Sequence, residues 1–286
     1  MTVALSLAVI AFSVAAAIGV MLVVRRFAPP GGFFADTERA GAVFAVMGTA
    51  FAVLLAFVIF LAFGSYDRAR DKASLEAVAV SQLFRTAKIF SPAAERKLRG
   101  ELICYARSVV HDEWPAMRHG RTSPSVDAWL ARIEGTIDVL PIRGENQRVA
   151  YEHWFDQAAE QREGRRGRLA EASPFVPSLV WLALVLGGSL LIAYVWFYAD
   201  PGESPIVQAM MAGSVTAIVI AGMLVVRFLE RPYSDGGGSV RPVAMELSVR
   251  NMEAASRASR LHAATLCDQR GQPVGRVRAG IAGRAP

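Results

Sequence analysis

Few side chains in this chain could do chemistry, and their spacing is poor for most of it. His111-Asp112-Glu113 places an imidazole beside two carboxylates, the residue types of a metal ligand set or an acid–base pair. Consecutive helical residues point about 100° apart, however, and no second His or Cys stands three or four places away, so a solvated helix end explains the trio better. His119, His153 and His262 stand alone. Cys104 and Cys267 are far apart and lack C-x-x-C spacing, which removes a zinc site and leaves unpaired thiols in a reducing compartment as the reading. Gly236–Gly238 precedes no Gly-Lys-Ser/Thr and follows no strand, so it is not a phosphate loop, and there is no nucleophile elbow. Nothing here points to an enzyme, a metal or a cofactor.

The remaining chemistry is ion passage. Leu54, Phe57 and Leu61 share one face of a long apolar segment, and a ring of such residues would form a neck that gates by dewetting. Composition alone favours the blander reading, in which this face simply touches lipid or a neighbouring helix. Gly48, Ala52 and Ala56 form a small-x-x-x-small stripe on the other side, permitting close helix packing. Just beyond come Arg68, Arg70 and Lys72, offset by Asp67 and Asp71. The balance is +1, a modest preference for anions at a narrow mouth.

These residues must be positioned by a membrane helix, because the chain separates its apolar and charged residues. It has 286 residues, 53% hydrophobic and 20% charged. Four runs carry no Asp, Glu, Lys, Arg or His: Val3–Val24, Gly41–Phe63, Phe175–Tyr198 and Pro205–Val226. Each gives roughly 33–36 Å of helix, enough to cross a bilayer with some tilt. The first lacks a basic leader and exceeds the usual length of a signal peptide's apolar core, which favours a retained span. With no charge inside the runs and no broken helices, a coupled transporter is disfavoured. Four spans put both termini and segment 64–174 on one side. Near the spans that side carries ten Lys and Arg, against three (Arg25, Arg26 and Arg39) on the other. The count favours cytoplasmic termini and a cytoplasmic central domain, with Arg25-Arg26 as the dissenting pair.

Between spans two and three every pattern is helical. Tyr66, Ala69, Ala73, Ala77, Val80, Phe84 and Ala87 define one face, so the second span continues unbroken as an amphipathic helix to about Phe90. Ser91-Pro92 reads as an N-cap followed by proline at the first helical position. Leu98, Leu102, Tyr105 and Val109 stripe a helix expected to stop before Pro115, Val126 to Leu140 stripe another, and a fourth begins near Glu145. Val243–Ala263 suits one more helix, and 268–286, rich in Gly, Arg and Pro, reads as disordered.

Three stretches resemble the bacterial bestrophin-like domain family of four-span membrane proteins. They are AFGSYDRARDKASLEA at the second-span exit, RRGRL at 165–169 leading through Pro177 to Trp181, and FLERPYSDGGGSVRP after the fourth span. In the last, Pro232, Tyr233 and Gly236 resemble the family's Pro-Phe-x-Gly pattern, with Tyr for Phe and extra glycines as departures. The resemblance implies a homo-oligomer, a pentamer in bestrophins proper, with cytosolic termini, a pore lined by the second span and anion conduction. The family's calcium-gating acidic cluster is reduced here to Glu230 and Asp235, so calcium gating is not implied.

The expectation is therefore an all-α, multi-pass protein of the bacterial inner membrane. A first transmembrane hairpin (1–66) is followed by a cytoplasmic helical domain (67–174), a second hairpin (175–229) and a cytoplasmic tail (230–286). Two functions stay open. One is an anion-preferring channel; the other is a non-conducting scaffold whose cytoplasmic helices bind a protein partner. Neither involves nucleic acid.

Overall fold

The computed structural model describes residues 3–259 and 263–274. Nine α-helices run in order among them: α1 Val3–Phe27, α2 Thr37–Thr86, α3 Pro92–Ser108, α4 Trp114–Met117, α5 Pro124–Asp138, α6 Glu145–Ala170, α7 Ser178–Trp196, α8 Pro205–Leu229 and α9 Val243–Ala258. No sheet forms among the described residues. Four helices are long and apolar enough to cross a membrane: α1, α2, α7 and α8. The chain divides into two compact units. Unit one is Met1–Tyr66 with Pro174–Ser239, and unit two is Asp67–Ser173 with Val240–Pro286.

Unit one holds the four apolar helices. Phe51, Leu55 and Val58 of α2 meet Leu184 and Leu191 of α7 and Val219 and Val226 of α8 in a shared core. Glycines set how closely they meet. A Cβ at Gly222 would lie 2.5 Å from a Leu55 methyl, and one at Gly187 would lie 2.9 Å from the Phe51 ring. Met21 of α1 packs with Val195 and Ala212 in a second, smaller core, and much of the remaining apolar surface is uncovered: Phe12, Phe60 and Leu179 are each more than 70% exposed. That inversion suits lipid or other copies as the surroundings, not water.

In unit two, Ala69, Ala73, Ala77, Val80, Phe84 and Ala87 are buried, as the stripe predicts. The helix gives way to a 3-10 turn at Ala87–Ile89. Ser91 then accepts a hydrogen bond from the Ala94 amide, and Pro92 opens α3. Pro115 does not end the helical path. The turn Val109–Glu113 widens into a π-helix, in which the Trp114 amide bonds the Val109 carbonyl, and α4 continues through the proline. A proline lacks the amide that would bond four residues back and crowds that carbonyl, and the wider turn absorbs both effects.

The C-terminal expectations need correcting. Helix α9 ends at Ala258, short of Ala263, and residues 260–262 lie outside the described residues. Asp268–Val274 is not disordered; it belongs to a packed strap, 263–274. The Ala264 amide donates to the Arg96 carbonyl, and Gly271 offers its carbonyl to Trp129 Nε1 and Ser108 Oγ. Residues 275–286 lie outside the described residues. The strap also overturns the free-thiol reading, because Cys104 and Cys267 form a disulfide with Cα atoms 5.8 Å apart. Gly100 makes room for the approach, since a Cβ there would sit 2.4 Å from the Ala264 carbonyl oxygen. The cysteines are 163 positions apart, a pairing invisible to spacing. By chain entropy, closing so long a loop contributes about 5 kcal/mol.

Candidate functional site

Helix α2 buries only one of its faces within unit one. Phe51, Leu55, Val58 and Ala62 form that face. At 3.6 residues per turn, Leu54, Phe57 and Leu61 lie about 90° to one side of it, and Gly48, Ala52 and Ala56 about 100° to the other. Both flanks are uncovered. Leu54, Phe57 and Leu61 are 36%, 60% and 39% exposed, and nothing stands within 4 Å of a Cβ built on Gly48. Ala52 and Ala56 are exposed as well. Close packing inside the chain is set instead by Gly187 and Gly222, against Phe51 and Leu55. Thr49 turns its hydroxyl back to the Ala45 carbonyl.

Two of the three basic residues after the span are ion-paired. Arg68 Nε pairs with Glu171 at 2.8 Å, and Lys72 Nζ with Glu163 at 2.6 Å, both partners coming from the α6 region; Arg70 is exposed. Arg68, Arg70 and Lys72 against Asp67 and Asp71 give +1, and Glu171 and Glu163 sit against two of those cations.

A buried ionic cluster joins residues from two of the quoted motifs. Glu76, Glu113 and Arg168 are fully buried. Arg168 donates through Nε to Glu76 Oε2 at 2.6 Å, and through one terminal nitrogen to Glu113 Oε2 at 2.6 Å. Arg165 bonds Glu113 from its other edge and reaches Asp127. Tyr105 donates to Glu76 and accepts from Gln161. Burial opposes the charge on Glu113, but the Arg165 and Arg168 guanidiniums outweigh it and hold the carboxyl below the usual glutamate range. Burial and the neighbouring Glu76 carboxylate push Tyr105 well up, which keeps it a donor. Two arginines balance two glutamates, and removing either arginine would strand a buried charge at about 3–5 kcal/mol. The cluster fixes α2, α6 and the π-turn to one another.

The solvated-end reading of His111-Asp112-Glu113 is therefore wrong for Glu113. The π-turn sends the three apart, with His111 exposed, Asp112 bonded to Gln272 and Glu113 in the core. No group of three potential metal ligands gathers among the described residues. One signal could have revealed the cluster: Glu76 interrupts the apolar stripe of α2 beside Ala73, Ala77 and Val80, so a charge on the buried face needed a buried partner. Arg165 and Arg168, three apart on α6, supply it.

In unit one, Glu230 is buried and takes hydrogen bonds from Trp181 Nε1 and Arg227, while the Tyr66 hydroxyl donates to the Gly238 carbonyl. Thus the second and third motifs also meet. The dissenting Arg25 binds Gln208 Oε1 and the carbonyls of Pro201 and Glu203, so it fastens the α7–α8 turn.

Four apolar helices with a helical unit inserted between the second and third define a membrane protein of bestrophin architecture. Its fold is similar to two single-residue variants of a bacterial bestrophin homologue from Klebsiella pneumoniae. One has 18% identity and a TM-score of 0.67, covering 85% of this chain and 98% of that chain. The other has 17% identity and the same TM-score, covering 86% and 98%. No curated protein matches the sequence. The family model for the bestrophin-like domain matches residues 11–245, and the chain belongs to that family.

Proposed function

We propose that the chain is one subunit of an oligomeric ion channel of the bacterial inner membrane, with the Leu54–Phe57–Leu61 face of α2 as its apolar neck. The observation that carries this is the pair of uncovered flanks on α2, one bulky and one small, on either side of the face spent inside the chain. In a ring, the small flank admits the neighbouring copy while the bulky flank repeats around the axis; family membership favours five copies. The charge count supports a cytoplasmic side for the termini and unit two, and the role of Arg25 in the α7–α8 turn offers a reason for its dissent. Glu163 and Glu171 pair with Lys72 and Arg68, which weakens the anion preference expected from the sequence.

Chloride and potassium flux into liposomes carrying purified oligomers tests the reading. Phe57→Ala should widen and wet the neck and raise flux several-fold. Glu163→Gln with Glu171→Gln should move selectivity towards chloride. If neither ion passes, even with Phe57→Ala, the channel is refuted and the scaffold is the reading left.

A further inference from the structure

A disulfide is out of place in a reducing compartment unless it opens and closes there. The strap 263–274 is built around one. Cys267 is bonded to Cys104 of α3, and both residues are buried, 4% and 1% exposed. An incoming thiolate must reach a sulfur directly, so exchange proceeds from a lifted strap. Specific hydrogen bonds also hold the strap, among them Gln272 Nε2 donating to Asp112 and the Ala263 amide to Ser256 Oγ. The Ala264 amide holds Arg96, the Gly271 carbonyl takes Trp129 and Ser108, and Arg107 donates to the Asp268 carbonyl. Gly271 has φ +82°, and a Cβ on it would strike the Ser108 hydroxyl. Ser108 is the last residue of α3, immediately before the π-turn that ends in Glu113. The strap therefore lies against the segment that delivers one carboxylate to the buried cluster.

We propose that Cys104–Cys267 is a redox modification site, a reducible latch that holds the C-terminal strap on α3 and α5 and ties the packing of unit two to the thiol balance around it. A dithiol reductant of the compartment supplies two electrons and two protons. The Cys104 and Cys267 sulfurs become thiols as the reductant closes to its own disulfide. The latch rests on the cytoplasmic placement of unit two.

The test uses the full-length protein. Maleimide alkylation under denaturing conditions, read by intact mass, should find no free thiol as purified and two after dithiothreitol. Hydrogen exchange at the Ala264 amide should quicken at least tenfold on reduction. Cys104→Ser should show the fast exchange with or without the dithiol. In acid-quenched cells the bond should be closed after diamide and open after dithiothreitol. Two free thiols in every preparation, a bond that stays closed in cells under both treatments, or unchanged Ala264 exchange on reduction would each overturn the latch. Failure of the placement is distinguishable, because it shows as external labelling at residue 120 (Discussion), whatever the state of the bond.

Discussion

Glu101 lies on α3 with Oε1 accepting from Thr136 of α5 at 3.1 Å and Oε2 buried with no hydrogen-bond partner among the described residues. Burial raises its pKa to about 7, against the opposing pull of the Thr136 bond and of Lys97 and Arg132. The folded value exceeds the unfolded one, so the stability Glu101 contributes is fully present below about pH 4.5 and is lost as pH rises through 7. At 1.36 kcal/mol per pKa unit the loss is about 3 kcal/mol. Glu101→Gln keeps an acceptor for Thr136 and removes the charge. Denaturation followed from pH 5 to 8 should then show a flatter profile than wild type, and the variant should be more stable at pH 8. An unchanged slope would mean that the carboxyl is ionised throughout at no cost. Glu113 runs the other way: its lowered pKa contributes stability above the ordinary glutamate value and loses it on acidification.

Helix α2 separates what holds one chain together from what joins chains. Ala52 is exposed among the described residues, so Ala52→Leu should leave the protomer folded and weaken assembly. Gly222 receives Leu55, and Gly222→Val would drive bulk into that contact, costing about 1–3 kcal/mol or more by overpacking. Native mass in detergent, read beside thermal stability, checks the pair. Ala52→Leu should lower the oligomer mass, and Gly222→Val should lower the midpoint of unfolding. An unchanged oligomer mass for Ala52→Leu would remove the small stripe from the subunit interface.

For the whole molecule, placement across the membrane is the testable property. In a Cys104→Ser, Cys267→Ser background, single cysteines replacing Gly120 and Glu203 should label from opposite sides of intact cells. An impermeant maleimide added outside should reach residue 203 and not residue 120. External labelling at 120 would reverse the topology, and would make the disulfide a permanent staple on an oxidising face.

Four apolar runs, the amphipathic continuation of α2 and the Ser91-Pro92 helix start were legible in the sequence because each is local. Hydrophobic length and 3.6-residue periodicity express how neighbouring residues share a face or a solvent. The family motifs were legible too, but not their meeting. Glu76, Glu113, Arg165 and Arg168 come from three separate segments, and only the packed chain brings their charges within 3 Å. The Cys104–Cys267 bond depends likewise on Gly100 admitting the strap. The same holds for Arg68 and Lys72, whose acidic partners lie 103 and 91 positions away, so a charge count over neighbouring residues misses them. Periodicity assigns a residue to a face, whereas ion pairing and disulfide closure depend on distances between faces, which tertiary packing alone decides.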